Sequence, residues 1–169
     1  FLKLKSCIRL NPDLAREKMD QKDSLFIAAV SNDMEYVIQL ASTEKGLTFL
    51  TTAKSGKGLD ALALAASTGD TTMSDFFLNL PFGEKERETA LFHAVISRNL
   101  NGVKILIKHG VNPNLPHLFN KNGLVTLLLR MFEDRYLTID STPGIDIKIA
   151  EILLTEASYY NSSSSVAKD

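Results

Sequence analysis

Three histidines and one cysteine are the residues of this 169-residue chain best suited to nucleophilic, acid–base or metal chemistry: Cys7, His93, His109 and His117. Nucleophilic catalysis needs a nucleophile, a base and a group that orients the base. Cys7 has no local signature around it and reads as a structural cysteine. No two histidines have the i, i+4 spacing of a helical metal site and no cysteine accompanies them, so neither a metal nor a cofactor is expected. Ser55-Gly56-Lys57-Gly58 touches on a phosphate loop, but Gly-x4-Gly-Lys-Ser/Thr would need glycine at Thr51 and a hydroxyl at Gly58. A solvated turn is expected there. Glu84-Lys85-Glu86-Arg87-Glu88 mixes acids with bases and reads as another solvated turn, with a salt-sensitive rim at a partner surface as the alternative. Asn161-Ser162-Ser163 matches a glycosylation acceptor by chance. No enzymatic activity is expected of the chain.

Composition narrows the remaining classes. Apolar residues make up 44%, enough for a sizeable core. Nineteen Lys and Arg against 20 Asp and Glu leave a net charge of −1, which argues against a dedicated nucleic-acid or acidic-membrane binder. One cysteine cannot form an internal disulfide, and a reducing, cytoplasmic compartment is expected. No apolar run approaches membrane-spanning length; Thr126 interrupts the longest, Leu124 to Leu129. The first residue is Phe1 rather than Met, so a piece of a longer protein is expected, with its localisation signals cut away.

The elements that would position any surface repeat along the chain. Leu25-Phe26-Ile27-Ala28-Ala29, Leu62-Ala63-Leu64-Ala65-Ala66 and Leu91-Phe92-His93-Ala94-Val95 are apolar segments carrying small residues, and Leu127-Leu128-Leu129-Arg130-Met131 is a weaker fourth. Each is followed by a turn-prone stretch and a second apolar stretch: Met34 to Ala41, Met73 to Leu80, Val103 to Ile107 and Ile147 to Leu154. Ala28 to Leu40, Ala65 to Phe77 and Ala94 to Leu106 are each offset by 12, whereas Arg130 to Leu153 is 23, an excess of 11. A fixed offset implies a fixed geometry, two short antiparallel helices joined by a tight turn. Val103, Leu106 and Ile107, like Ile149, Ile152 and Leu153, have the i, i+3, i+4 spacing of one helical face. Helices this short are marginal alone and must stack sideways, which gives a solenoid.

These units resemble the ankyrin repeat. Thr89-Ala90-Leu91-Phe92-His93-Ala94-Val95 is similar to the family's Thr-Pro-Leu-His-x-Ala-Ala opening, and Asn101 to Ile107 to its second helix. Lys108-His109-Gly110-Val111-Asn112-Pro113-Asn114 resembles its exit, with Gly110 at the helix C-cap. The inter-helix glycine survives as Gly69 and becomes Asn32 and Arg98 in the neighbouring units; a left-handed backbone is tolerated by Asn and costs something at Arg. Arg130-Met131 in place of small residues suggests a terminal, capping fourth unit. The resemblance implies an all-α solenoid of stacked helix-turn-helix units with short hairpin-like finger loops. It places four repeats at about 21–56, 57–86, 87–121 and 122–157. Residues 1–20 are either an N-terminal cap or a truncated preceding repeat, and residues 158–169 a Ser-rich tail or linker.

The resemblance also implies the function: non-catalytic recognition of a partner protein by a monomeric module, through a concave groove and finger loops, without nucleic acid or membrane insertion. Groove positions carried over are Ser31, Thr68 and Ser97 after the small pairs, and Leu59, Glu88 and Leu124 just before the first helices. His93 would face inward as a core histidine, His109 would sit at a helix end and His117 in a connection. Asn114 to Gly123 is longer than usual for the family, which puts His117, Leu118, Phe119 and Lys121 at a finger tip, with Phe119 either an exposed anchor or packed under its own finger. The long connection from Ser42 to Lys57 contains Leu47, Phe49 and Leu50, so an extra packed helical turn is expected, with Lys45, Lys54 and Lys57 making its surface basic. The excess in the fourth unit, with Tyr136, is a second contact candidate. Irregular spacing and eroded signatures resemble ankyrin modules in secreted effectors of intracellular bacteria, which would act in the host cytosol. The competing implication is a substrate-positioning domain of an enzyme whose catalytic domain lies outside the sequence.

Overall fold

The computed structural model describes residues 21–68, 71–119, 123–133 and 143–166. They form ten helices: α1 Gln21–Ser31, α2 Met34–Ala41, α3 Glu44–Thr52, α4 Ala61–Thr68, α5 Thr71–Leu78, α6 Glu84–Ile96, α7 Leu100–Lys108, α8 Pro116–Phe119, α9 Gly123–Glu133 and α10 Pro143–Val166. No strand occurs among the described residues. The chain divides into two compact units, Phe1–Ala61 and Leu62–Asp169. Residues 1–20, Gly69 with Asp70, Lys121 and Tyr136 lie outside the described residues, as does the side chain of Phe119.

The expected helix pairs are present, and their turns show why the sequence folds this way. Asn32 and Arg98, standing where the family places glycine, both take the left-handed backbone, with φ of 58° and 55°. At each, the helix closes in a Schellman motif. Asp33 N–H reaches back to Ala28 O (2.9 Å), and Asn99 N–H to Ala94 O (2.9 Å). The residue that completes one helix then opens the next: Asp33 accepts from Tyr36 N–H and Asn99 from Gly102 N–H. α7 ends in the same motif, with Gly110 at φ 77° and Val111 N–H donating to Leu106 O (3.1 Å); the side chains of Val111 and Leu106 are buried together with it.

In the first unit Leu25, Ala28, Ala29 and Val37 are buried on α1 and α2. The apolar triplet expected to add a helical turn builds the whole of α3, which packs on α2. Thr43 caps it by accepting from Gly46 N–H (3.1 Å), and Leu50 is its buried anchor, contributing about 2 kcal/mol by removal from water. Lys54 is not part of a free basic surface: its Nζ donates to the buried Asp60 Oδ2 at 3.0 Å and neutralises it.

In the second unit the helices stack in register: α7 packs on α5, α6 and α10, and α9 on α6, α8 and α10. The small residues of α4 have a direct structural reason. Asn99 Nδ2 donates to Ala66 O at 2.6 Å, and a Cβ at Gly102 would collide with that same carbonyl. Backbone therefore meets backbone between α4 and the start of α7. Two stretches differ from expectation. The charged run from Glu84 to Glu88 is the first turn and a half of α6, not a solvated turn; Glu84 and Glu86 there face the positive end of the helix dipole. α10, opened by Pro143 in its first turn, continues to Val166, through the serines expected to form a flexible tail.

Candidate protein-interaction surface

The connection that follows α7 is shaped by a buried acid. Glu88 projects from α6 with about 1% of its surface exposed, and two backbone donors and one ring nitrogen converge on its carboxyl group. His117 N–H and Leu118 N–H donate to Oε2 at 2.8 and 2.9 Å, and His117 Nδ1 lies 2.8 Å from Oε1. These amides open α8, so the carboxylate supplies the acceptor that a helix N-terminus lacks. Just upstream, Leu115 sits at φ 47° with its side chain fully buried. That backbone is costly for a branched residue, and burial together with the Glu88 clamp holds it in place. The described part of the finger, Pro116–Phe119, is thus one turn of helix. His117 is exposed on it and Leu118 half-buried.

A second set of side chains ties neighbouring repeats. Arg87 donates to Leu78 O at the negative end of α5 and to Leu80 O and Phe82 O in the connection after it, at 3.0 to 3.2 Å. His109, at the C-cap of α7, places Nε2 2.8 Å from Asp75 Oδ1 of α5. Arg98 Nε lies 3.2 Å from the buried Asp146 Oδ1 in the first turn of α10. His93 is half-buried with its ring edge-on to Phe92 at 5.3 Å.

The family model for ankyrin repeats (3 copies) matches residues 25–117, more than half of the chain. The chain belongs to the ankyrin-repeat family. The match takes in the first three helix pairs and ends on α8, so α9 and α10 lie beyond it. No curated protein and no solved structure matches this ankyrin chain. Ankyrin repeats are generally protein–protein interaction modules and are typically non-catalytic. No helix among the described residues is long and apolar enough to cross a membrane, and no group of three His, Cys, Asp or Glu among them could hold a metal ion.

The carried-over positions fall in distinct environments. Ser31 and Thr68 are exposed, but each hydroxyl bonds its own helix, to Ile27 O and Ala65 O at 2.8 Å. Ser97 is exposed as the C-cap of α6. Leu59 is half-buried beside the Ser55 turn, and Leu124 half-buried on the first turn of α9. Of the sequence-derived candidates, Glu88, His117 and Leu118 are brought into mutual contact. Glu88, placed by the resemblance on the groove, is buried and acts from beneath the finger. Sequence reasoning misses Asp146, although a signal exists: it stands seven residues before Leu153, as Asn99 does before Leu106 and Asp33 before Leu40.

Proposed function

We propose that this ankyrin domain recognises a partner protein without catalysing a reaction, through the α8 finger and the polar end of α6 in the second unit. The observation that supports this most is the finger itself. A strained, buried Leu115 and a buried Glu88 hold a short helix whose surface residue, His117, is left open to solvent. Pre-ordering of that kind lowers the entropic cost of binding and is typical of recognition loops on rigid scaffolds. Ser97, at the end of α6 in the same unit, is a second contact. The domain is read as a monomer on the family resemblance, and one cysteine in the chain fits a reducing compartment. A role as part of a secreted effector rests only on the eroded repeat signatures.

Affinity capture with the full chain as bait tests this reading, comparing wild type with Leu118→Ala plus Phe119→Ala and with Ser97→Lys. A specific partner should be recovered with wild type and lost with the finger variant, with the circular dichroism of that variant unchanged. Equal recovery from all three baits would overturn the assignment of the finger as the binding surface.

A further inference from the structure

We propose that Glu88 fixes His117 as the Nδ1–H tautomer, so that the neutral imidazole presents a bare Nε2 to solvent and fits a partner group that donates a hydrogen bond. The carboxylate determines the outcome. Its Oε2 already accepts two backbone N–H groups, His117 and Leu118, and neither can do anything but donate. With Glu88 ionised both of its oxygens are acceptors, so for a neutral imidazole the 2.8 Å contact at Oε1 places the ring proton on Nδ1. A neutral imidazole with Nδ1–H has its lone pair on Nε2. Slightly more than half of the His117 side chain is exposed, and no other hydrogen bond engages it among the described residues. Hydroxyl, amide, ammonium or guanidinium groups on a partner match that lone pair; a carboxylate does not.

His109 provides an internal control. Its Nε2, not Nδ1, meets a carboxylate, that of Asp75. The two residues should therefore be opposite tautomers in one molecule. Glu88 acts through His117 and is a positioning residue. Replacing it by glutamine makes a specific demand. The single amide oxygen goes to the two backbone donors, which turns the NH2 group toward Nδ1. Nδ1 must then accept, and the ring proton moves to Nε2.

Long-range nitrogen–proton NMR of the histidine rings, in mildly alkaline buffer on the full chain, reads this directly. Wild type should show His117 protonated on Nδ1 and His109 on Nε2, and Glu88→Gln should move the His117 proton to Nε2 while leaving His109 unchanged. A wild-type His117 protonated on Nε2 overturns the proposal, as does a folded Glu88→Gln protein with an unaltered ring. The wild-type spectrum needs no variant, so instability of Glu88→Gln cannot protect the idea. Diethyl pyrocarbonate should modify His117 several times faster than His109, whose Nε2 is occupied; equal rates count against an open Nε2. Only the partner chemistry rests on the recognition reading. If the finger captures a partner, Glu88→Gln should weaken it about threefold to tenfold, the worth of one hydrogen bond, and unchanged affinity would remove the donor requirement. Failure to capture any partner would leave the tautomer standing.

Discussion

The turn at Asn32-Asp33 and the turn at Arg98-Asn99 have the same backbone and different chemistry. Both close a Schellman motif through a left-handed residue and cap the following helix with a side-chain oxygen. At the first, each residue suits its local role, since asparagine tolerates the left-handed region and an aspartate oxygen is a good cap. At the second, arginine carries a conformational cost of about 1 kcal/mol, and asparagine makes two contacts at once. The Asn99 carbonyl caps α7 while its amide holds Ala66 O; Arg98 faces the buried Asp146. The difference teaches that backbone geometry leaves the choice among small polar residues open, and that bonds to the adjacent repeats close it.

Substitutions can break this comparison. The largest effect is expected at Asn99→Leu, which removes the cap and leaves a buried carbonyl without its donor; about 3 kcal/mol of stability should be lost in urea unfolding. Asn99→Asp retains the cap and removes only the donor, placing an acid against Ala66 O. About 2 kcal/mol should be lost, whereas the reciprocal Asp33→Asn should be close to neutral. Equal effects at the two sites would refute the idea that Asn99 bridges repeats. Arg98→Gly relieves strain but removes the guanidinium beside the buried Asp146, for a net loss of roughly 1 kcal/mol that disappears in an Asp146→Asn background. Asp33→Ala should cost about 1 kcal/mol, the ordinary worth of a cap. Asn32→Gly should be the mildest, within about 0.5 kcal/mol, since Asn visits the left-handed region routinely. Native-state hydrogen exchange would place the first two losses at the start of α7.

Where local chemistry suffices, the chain is readable from its residues. The apolar segments with their small pairs locate α1, α4 and α6, the constant offset locates their partners, and Asn32, Arg98 and Gly110 mark left-handed turns. Leu47, Phe49 and Leu50 announce an added helix. What escapes such reading depends on how the chain folds back on itself. Arg87 reads as one charge in a polar run until the carbonyls of Leu78, Leu80 and Phe82 are seen around it. Glu88 reads as a surface acid until two amides some 30 residues onward are found on its carboxylate. A hairpin tip is the family's expectation for the finger, but Pro116 at the first position of a helix and an acceptor beneath it favour one helical turn. His117 belongs to the finger on sequence grounds alone, yet nothing nearby in the sequence tells which of its nitrogens is engaged.

Arg87 has a consequence for how the domain comes apart. A linear array can unzip from an end, one module at a time, if each module satisfies its own backbone. Here the last carbonyl of α5, Leu78 O, and two carbonyls of the connection after it, Leu80 O and Phe82 O, accept from a side chain that belongs to the succeeding module. Melting α6 deprives three carbonyls of their donor, and fraying the end of α5 removes one of the three acceptors of the Arg87 guanidinium. One side chain thus couples the opening of α6 to that of the segment before it, a contact that favours loss of the two modules together over loss of one at a time.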